Sequence, residues 1–408
     1  MLRAGPPVIV PVMTPTYDVI VVGARCAGSS TALLLARRGH RVLLVDRARF
    51  PSDTTSTHFV HPPGVEALAR WGLEDRLAAT GCPPITRYTF DFGPVVLSGS
   101  PGTAYGPRRT VLDELLVHAA ADAGAEVREG FTVHELVVEG GRVTGIRGHG
   151  AGGRHVTESA RVVVGADGKH SRVAAAVGAP AYSQRPAVEG CVYAYWSGVA
   201  TDGFELHVRL GRAMAALPTH EDQTLVLAAW PMVEFDAVRT DVTGNMHKTL
   251  ELATDLHDRV QRGTRESRFH TVADLPGFLR QPHGPGWALV GDAGYTTDPS
   301  TAQGISDAFL DAEGLTAALD ETLSGRRREG EVLGEWHRER DERVAPMYEL
   351  TSSLATQEPL PPDLQQLLAA CAGNPQAMDA FASMFAGVLP VPAFFAPDHV
   401  ARILRAAA

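Results

Sequence analysis

The stretch "YDVIVVGARCAGSS", residues 17–30, constrains the fold of this chain more than any other. An apolar run without polar alternation suits a parallel strand buried on both faces. The segment that follows, "AGSSTALLLARRG", is rich in helix formers and stops at Gly39, so the chain reads strand, glycine turn, helix. Gly23 permits the tight turn and Gly28 lets the helix pack closely on the strand. The free N–H groups of such a helix start carry a partial positive charge and face a pyrophosphate. "HRVLLVD" supplies a second buried strand ending on Asp46, where a carboxylate can accept both hydroxyls of an adenosine ribose. A strand–glycine–helix turn also occurs without a ligand, so this motif needs support from elsewhere.

Two later stretches supply it. "GADGKHSRVA" places Asp167 and Gly168 at the end of another buried strand. "ALVGDAGYTTDPSTAQGISDAF" repeats the pattern with a Gly-Asp turn, a proline-containing loop and a helix. Asp292 is placed there to accept a hydrogen bond from a sugar-alcohol chain. The backbone of Gly304 and Ile305, at the next helix start, can meet an electron-rich ring oxygen. Each such pair alone is usually a turn; three in this order are hard to explain as turns.

The rest of the chain alternates around these motifs. "RTVLDELLVHAAADAGA" reads as an amphipathic helix, "AEVREG" as a strand and "FTVHELVVEGGRVTGIRGHG" as a hairpin turning at its glycine pair. From about residue 181 the texture changes to short strands without a long helix, such as "EGCVYAYWSGV" and "TLVLAAWP". The expected organisation is a flexible extension over 1–16, with Met13 a plausible start, followed by a dinucleotide-binding domain over 17–180 and 276–325. A substrate-binding antiparallel β-sheet is inserted over 181–275, with part of the substrate region near 80–108. A helical region over 326–408 carries no motif with assignable chemistry.

Composition narrows the function classes. Acids outnumber Lys plus Arg by 47 to 37, giving a net charge of −10 that disfavours nucleic acid or an anionic membrane as partner. The 4 cysteines form no C-x-x-C pair, which suggests neither a metal site nor a disulfide framework and fits a reducing cytoplasm. No apolar run approaches the ~20 residues of a membrane span.

The three motifs together give the chain a family resemblance. It resembles the FAD-dependent monooxygenases of the p-hydroxybenzoate hydroxylase fold, whose wider superfamily includes geranylgeranyl reductases and flavin-dependent halogenases. The resemblance runs from about 17 to 320. It implies an α/β fold: an FAD-binding Rossmann-like domain of the glutathione-reductase type, an inserted antiparallel β-sheet and a helical C-terminal tail. It further implies that Gly23, Ala24, Ala27, Gly28, Asp46 and Arg47 hold the ADP half of FAD, with Arg109 touching FAD and Val133 meeting adenine through its backbone. Asp167 braces FAD and is implicated in NADH or NADPH use; Asp292 binds the ribityl chain, and the loop from Pro299 to Gly304 and Ile305 lies beside the ring. Arg25 occupies the place of the usual middle glycine. It is either directed away toward the flavin-side loop or supplies a cation near the diphosphate, and the first is preferred because the helix N-terminus already serves the phosphates.

In the family's monooxygenases, reduced flavin and dioxygen form a C4a-hydroperoxide whose distal oxygen passes to the substrate. The expectation is therefore hydroxylation or epoxidation of an apolar or aromatic small molecule, with NAD(P)H as reductant or a flavin reductase as partner. Tyr193, Tyr195, Trp196 and Trp230 are candidates for lining the substrate site, although alternation cannot place all four on one face. His58 and His61, in "STHFVHPPG", are either acid–base groups or braces of their loop. The 5 tryptophans contain no W-x-W pair, which argues against halogenation. The Y-x-W-x-F-P strand of geranylgeranyl reductases has only "GRAMAALP" as a counterpart, which weakens the reductase alternative. A non-catalytic flavoprotein is the third alternative, and the complete ring-side loop argues against it.

Overall fold

The computed structural model describes residues 16–150 and 152–407. The expected N-terminal extension therefore lies outside the described residues up to position 15. The strand Tyr17–Val22 sits centrally in a parallel sheet, paired with Val42–Asp46 on one side and His155–Gly165 on the other. Glu126–Glu129 extends the sheet beyond Val42–Asp46, and Trp287–Leu289 extends it beyond His155–Gly165. Both faces are buried, which is why "VIVV" shows no alternation. Val19, Val21, Leu44, Val162 and Val164 face the helices Cys26–Arg37, Arg109–Asp122 and Gly304–Leu323. Ile20, Leu43, Val45 and Val163 face Phe131 and Ile146, beneath the hairpin Thr132–Glu139 and Arg142–His149. Each such side chain contributes ~1.5–3 kcal/mol by burial. The hairpin turns through Gly140 and Gly141, both at positive φ (56° and 80°), the geometry a two-residue hairpin turn needs.

A second sheet is built mainly from Glu189–Ser197, Phe204–Arg209, Arg212–Pro218 and Gln223–Pro231. Tyr88–Asp91 joins it in parallel with Phe204–Arg209, and Val96–Gly99 pairs with Tyr88–Asp91. The segment between this sheet's last long strand and residue 262 departs from the expected all-strand texture. It forms three helices of 9 residues each, Met232–Thr240, Val242–Leu250 and Thr254–Arg262. Phe235, Val238, Met246, Leu250, Leu256 and Val260 recur at helical spacing and pack on one face of the sheet.

The opposite face is covered by the C-terminal helices. Leu367, Phe381, Phe385 and Phe394 share one core with Tyr88, Phe90, Tyr193 and Tyr195. Gln303, just before the helix Gly304–Leu323, donates from Nε2 to the carbonyl of Phe385 at 2.8 Å. The tail thus ties the second sheet to the proline-containing loop. Among the described residues, no helix is long and apolar enough to cross a membrane.

Candidate active site

The strand order puts the carboxyl ends of neighbouring strands in a row: Asp46, then Gly23, then Asp167, then the turn at Asp292. Three strand spacings separate the first from the last, roughly 14 Å. One cavity of about 850 Å³ runs along this row and reaches the second sheet at Cys191, Tyr193 and Leu227. Of the residues expected at a cofactor, Gly23, Ala27, Asp46, Arg47, Arg109, Val133, Asp167, Asp292, Pro299, Gly304 and Ile305 all line it.

The two helix starts in the cavity are uncapped. Arg25, before Cys26–Arg37, and Gln303, before Gly304–Leu323, make no side-chain cap hydrogen bond. The first turn of Cys26–Arg37 also holds no acid. Helix geometry leaves the leading N–H groups without an internal acceptor, so both ends are open to an electron-rich ligand. Asp292 is exposed at the cavity floor between them, and Arg109 acts on it electrostatically. These features fit FAD: a diphosphate at the first helix, hydroxyls at Asp292 and a ring oxygen at the second helix.

Gly28 and Ala24 serve by packing rather than by contact with the cavity. A Cβ on Gly28 would lie 1.8 Å from the Gly23 carbonyl oxygen, so only glycine lets the helix seat against the turn. Gly23 itself has φ +105°, a conformation that favours glycine. The N–H of Ala24 donates to Asp46 Oδ2 at 2.6 Å and is not free for a ligand. Asp46 Oδ1 accepts from the N–H of Ala48 at 2.7 Å. Each oxygen of Asp46 keeps a further acceptor site for a ribose hydroxyl. Asp167 is likewise engaged: it accepts from Ser171 Oγ at 2.5 Å and from the N–H of Arg172 at 2.7 Å, which ties down the next helix start.

Arg25 points away from the helix N-terminus. Its guanidinium donates to Asp113 Oδ2 at 2.5 Å, to the Ser52 carbonyl at 3.2 Å and to the Asp53 carbonyl at 3.1 Å. Asp113, fully buried, also holds Arg109 through Oδ1 at 2.8 Å. The arginine in the fingerprint therefore anchors the 52–57 loop, whose residues from Asp53 to Thr57 form a cavity wall. A direction toward the flavin-side loop was the preferred expectation for Arg25, whereas Asp113 was not read as part of the site; the i, i+4 spacing of Arg109 and Asp113 is the signal that could have found it. Arg25→Gly should change FAD affinity by less than about threefold while lowering stability by about 2 kcal/mol, because Asp113 keeps Arg109 as a partner. Equilibrium FAD titration beside denaturant unfolding measures both.

The aromatic candidates divide by strand alternation. Tyr193 lines the cavity, its ring stacked on His270 with centroids 4.8 Å apart. Tyr195 is on the same face but lies behind the wall, with Arg108 3.2 Å above its ring. Trp196 and Trp230 are corrected: both turn to the opposite face and pack under the three short helices. The indole N–H of Trp230 donates to Thr249 Oγ1 at 3.0 Å. Trp230→Ala should cost about 3–5 kcal/mol of stability and leave the affinity of cavity ligands unchanged, a contrast read by unfolding and by FAD titration.

His58 and His61 are also outside the cavity lining, and both are fully buried. Burial depresses His61 to about 4 and His58 to about 3, so neither is an acid–base group near neutrality. His61 donates from Nε2 to the Thr301 carbonyl at 2.9 Å and accepts at Nδ1 from the Tyr88 hydroxyl at 2.9 Å. It braces the proline-containing loop against the second sheet.

A family model described as FAD binding domain matches residues 16–351. The chain is 28% identical over 324 residues to a 6-methylpretetramide 4-monooxygenase of Streptomyces rimosus, with 76% of this chain and 77% of that protein covered. It is also 28% identical over 312 residues to a digeranylgeranylglycerophospholipid reductase 2 of Methanopyrus kandleri, covering 72% and 74%. Among solved structures, the myxobacterial chondrochloren halogenase CndH superposes with a TM-score of 0.78 at 22% identity, over 97% of both chains. That last likeness is one of fold.

Proposed function

Because the chain belongs to the FAD binding domain family, we propose that it is an FAD-dependent monooxygenase that hydroxylates or epoxidises an apolar or aromatic small molecule. The observation that carries this reading is the composition of the cavity's far end. There the uncapped helix start at Gly304 and Ile305 lines the same cavity as Cys191, Tyr193 and Leu227 of the second sheet. Bound FAD supplies the redox chemistry, with NADH or NADPH as the electron source and dioxygen as the oxidant. The protein's part is to hold, orient and keep dry. With FAD bound, the leading N–H groups of the helix would stabilise negative charge on the ring, and Asp292 would hold the sugar-alcohol chain. Arg109, locked by Asp113, keeps a positive charge over the cavity without swinging. Tyr193 and Leu227 offer an apolar wall for the substrate, which excludes water from the reacting atoms.

The relative from Methanopyrus kandleri supports a second reading, saturation of a carbon–carbon double bond in the same cavity. Oxidation of NADH or NADPH by the purified chain, followed with and without dioxygen over a panel of polycyclic aromatics and polyprenyl compounds, separates the two. Substrate-stimulated oxidation that yields product only in air supports oxygenation; product formed anaerobically supports the reductase. Reduced-nicotinamide oxidation that requires an added flavin reductase would assign the reductant to a partner protein.

A further inference from the structure

Two acids are buried together where the second sheet, the proline-containing loop and the C-terminal region meet. Glu189 is 3% exposed and Asp298, which lines the cavity, is 6% exposed. The groups that act on Asp298 are Ser300 and Glu189, neither of them a cation. Ser300 lies between the acids, its Oγ 2.5 Å from Asp298 Oδ1 and 3.1 Å from Glu189 Oε1. A serine hydroxyl has one proton to donate, so it cannot donate to both. Two full two-centre bonds therefore require a proton on one of the acids.

The remaining partners locate that proton. Burial raises the Asp298 carboxyl as well, but its Oδ1 also accepts from the N–H of Ser300 at 2.9 Å, a bond that favours the ionised form. Glu189 Oε2 accepts from Gln357 Nε2 at 2.6 Å, leaving Oε1 to carry a proton and donate to Ser300 Oγ. Burial and the neighbouring carboxylate hold the Glu189 carboxyl well above its ordinary range. Cys191 is a further titratable group beside them; burial and the two acids push its thiol up, so it stays protonated.

We propose that Glu189, Ser300 and Asp298 form a proton relay that stores one proton at neutral pH and opens on the cavity at Asp298. It rests on the preceding reading only in taking the cavity beside Pro299 as the substrate's. In transfer, the Glu189 O–H bond breaks as its proton moves to Ser300 Oγ, while the proton of Ser300 passes to Asp298. Each electron pair stays on the oxygen that its proton leaves, and the net charge of the trio is unchanged. Asp298 is then a neutral carboxyl that can donate to an oxygen atom of the substrate, and Gln357 holds the negative charge left on Glu189. If that proton passes on to the substrate oxygen, both acids are ionised until solvent returns one proton through the cavity.

The test is infrared spectroscopy of the purified, FAD-loaded protein near pH 7, in water and after transfer to deuterium oxide. The protonated-carboxyl absorption should lose one band in Glu189→Gln. In Ser300→Ala that band should persist but exchange with deuterium at least tenfold more slowly, and Ser300→Thr should restore the wild-type rate. Identical carboxyl spectra in wild type and Glu189→Gln would overturn the proposal, as would wild-type exchange in Ser300→Ala. Should Glu189→Gln fail to fold, the two Ser300 variants alone decide through the exchange rate. No substrate enters these measurements, so a failure of the oxygenase reading would show separately, as absent turnover with an intact relay.

Discussion

Asp292→Ala is expected to give a protein that folds but purifies without FAD. The carboxylate of Asp292 is exposed on the cavity floor and is not used to hold the fold together. Its removal should therefore move apoprotein stability by less than about 0.5 kcal/mol. A hydrogen bond to a charged acceptor contributes about 1.5–3 kcal/mol, and two hydroxyls of the sugar-alcohol chain can reach one carboxylate. The expected loss of FAD affinity is on the order of 10²–10³-fold, with Asp292→Asn intermediate. The ratio of flavin to protein absorbance after purification, followed by FAD titration of the apoprotein, measures it. An Asp292→Ala protein that purifies fully loaded would remove Asp292 from the cofactor site.

Gly28→Ala should act through the opposite route, damaging the fold first and FAD binding as a consequence. The added methyl would meet the Gly23 carbonyl oxygen at 1.8 Å and the Ala166 Cβ at 3.0 Å. Neither can yield, because Gly23 is held by a bond from its N–H to the Val45 carbonyl at 2.8 Å and Ala166 by one to Val22 at 2.8 Å. The helix Cys26–Arg37 must move off the sheet, which costs about 3 kcal/mol or more in a close-packed core. Its leading N–H groups move with it, away from the place of the diphosphate. Both a lower unfolding midpoint and weaker FAD binding are expected, whereas Arg25→Gly, three residues earlier, should lower stability alone. Gly28→Ala with wild-type stability would show that the helix is not seated on the turn in this way.

What could be read from the sequence follows from how local each signal is. The parallel sheet was legible because buried strands leave uninterrupted apolar runs, and their glycine-acid ends mark where the chain turns over the sheet's edge. The division of Tyr193 from Trp196 and Trp230 was legible in principle, since strand alternation puts odd and even positions on opposite faces. Choosing which face meets the cavity required the packing of the three short helices. Those helices were missed because each is only nine residues long and their apolar positions are separated by polar, capping and glycine residues. The part played by Arg25 was half legible. Its departure from the glycine fingerprint was plain, but its partners Ser52, Asp53 and Asp113 lie 27 to 88 positions away. Glu189 and Gln357 carry no motif, and Ser300 sits inside the third motif with nothing to mark it; three distant segments bring them together, and only burial makes their hydrogen count informative.

The central claim is that the cavity joins FAD to a substrate for oxygen transfer. Turnover under isotopically labelled dioxygen, with a substrate found by stimulated NADH or NADPH oxidation, tests it most directly. Mass spectrometry of the product should show one labelled oxygen atom per molecule, with none incorporated from labelled water. A product formed without dioxygen and heavier only by two hydrogen atoms would contradict the claim and place the chain among the double-bond reductases.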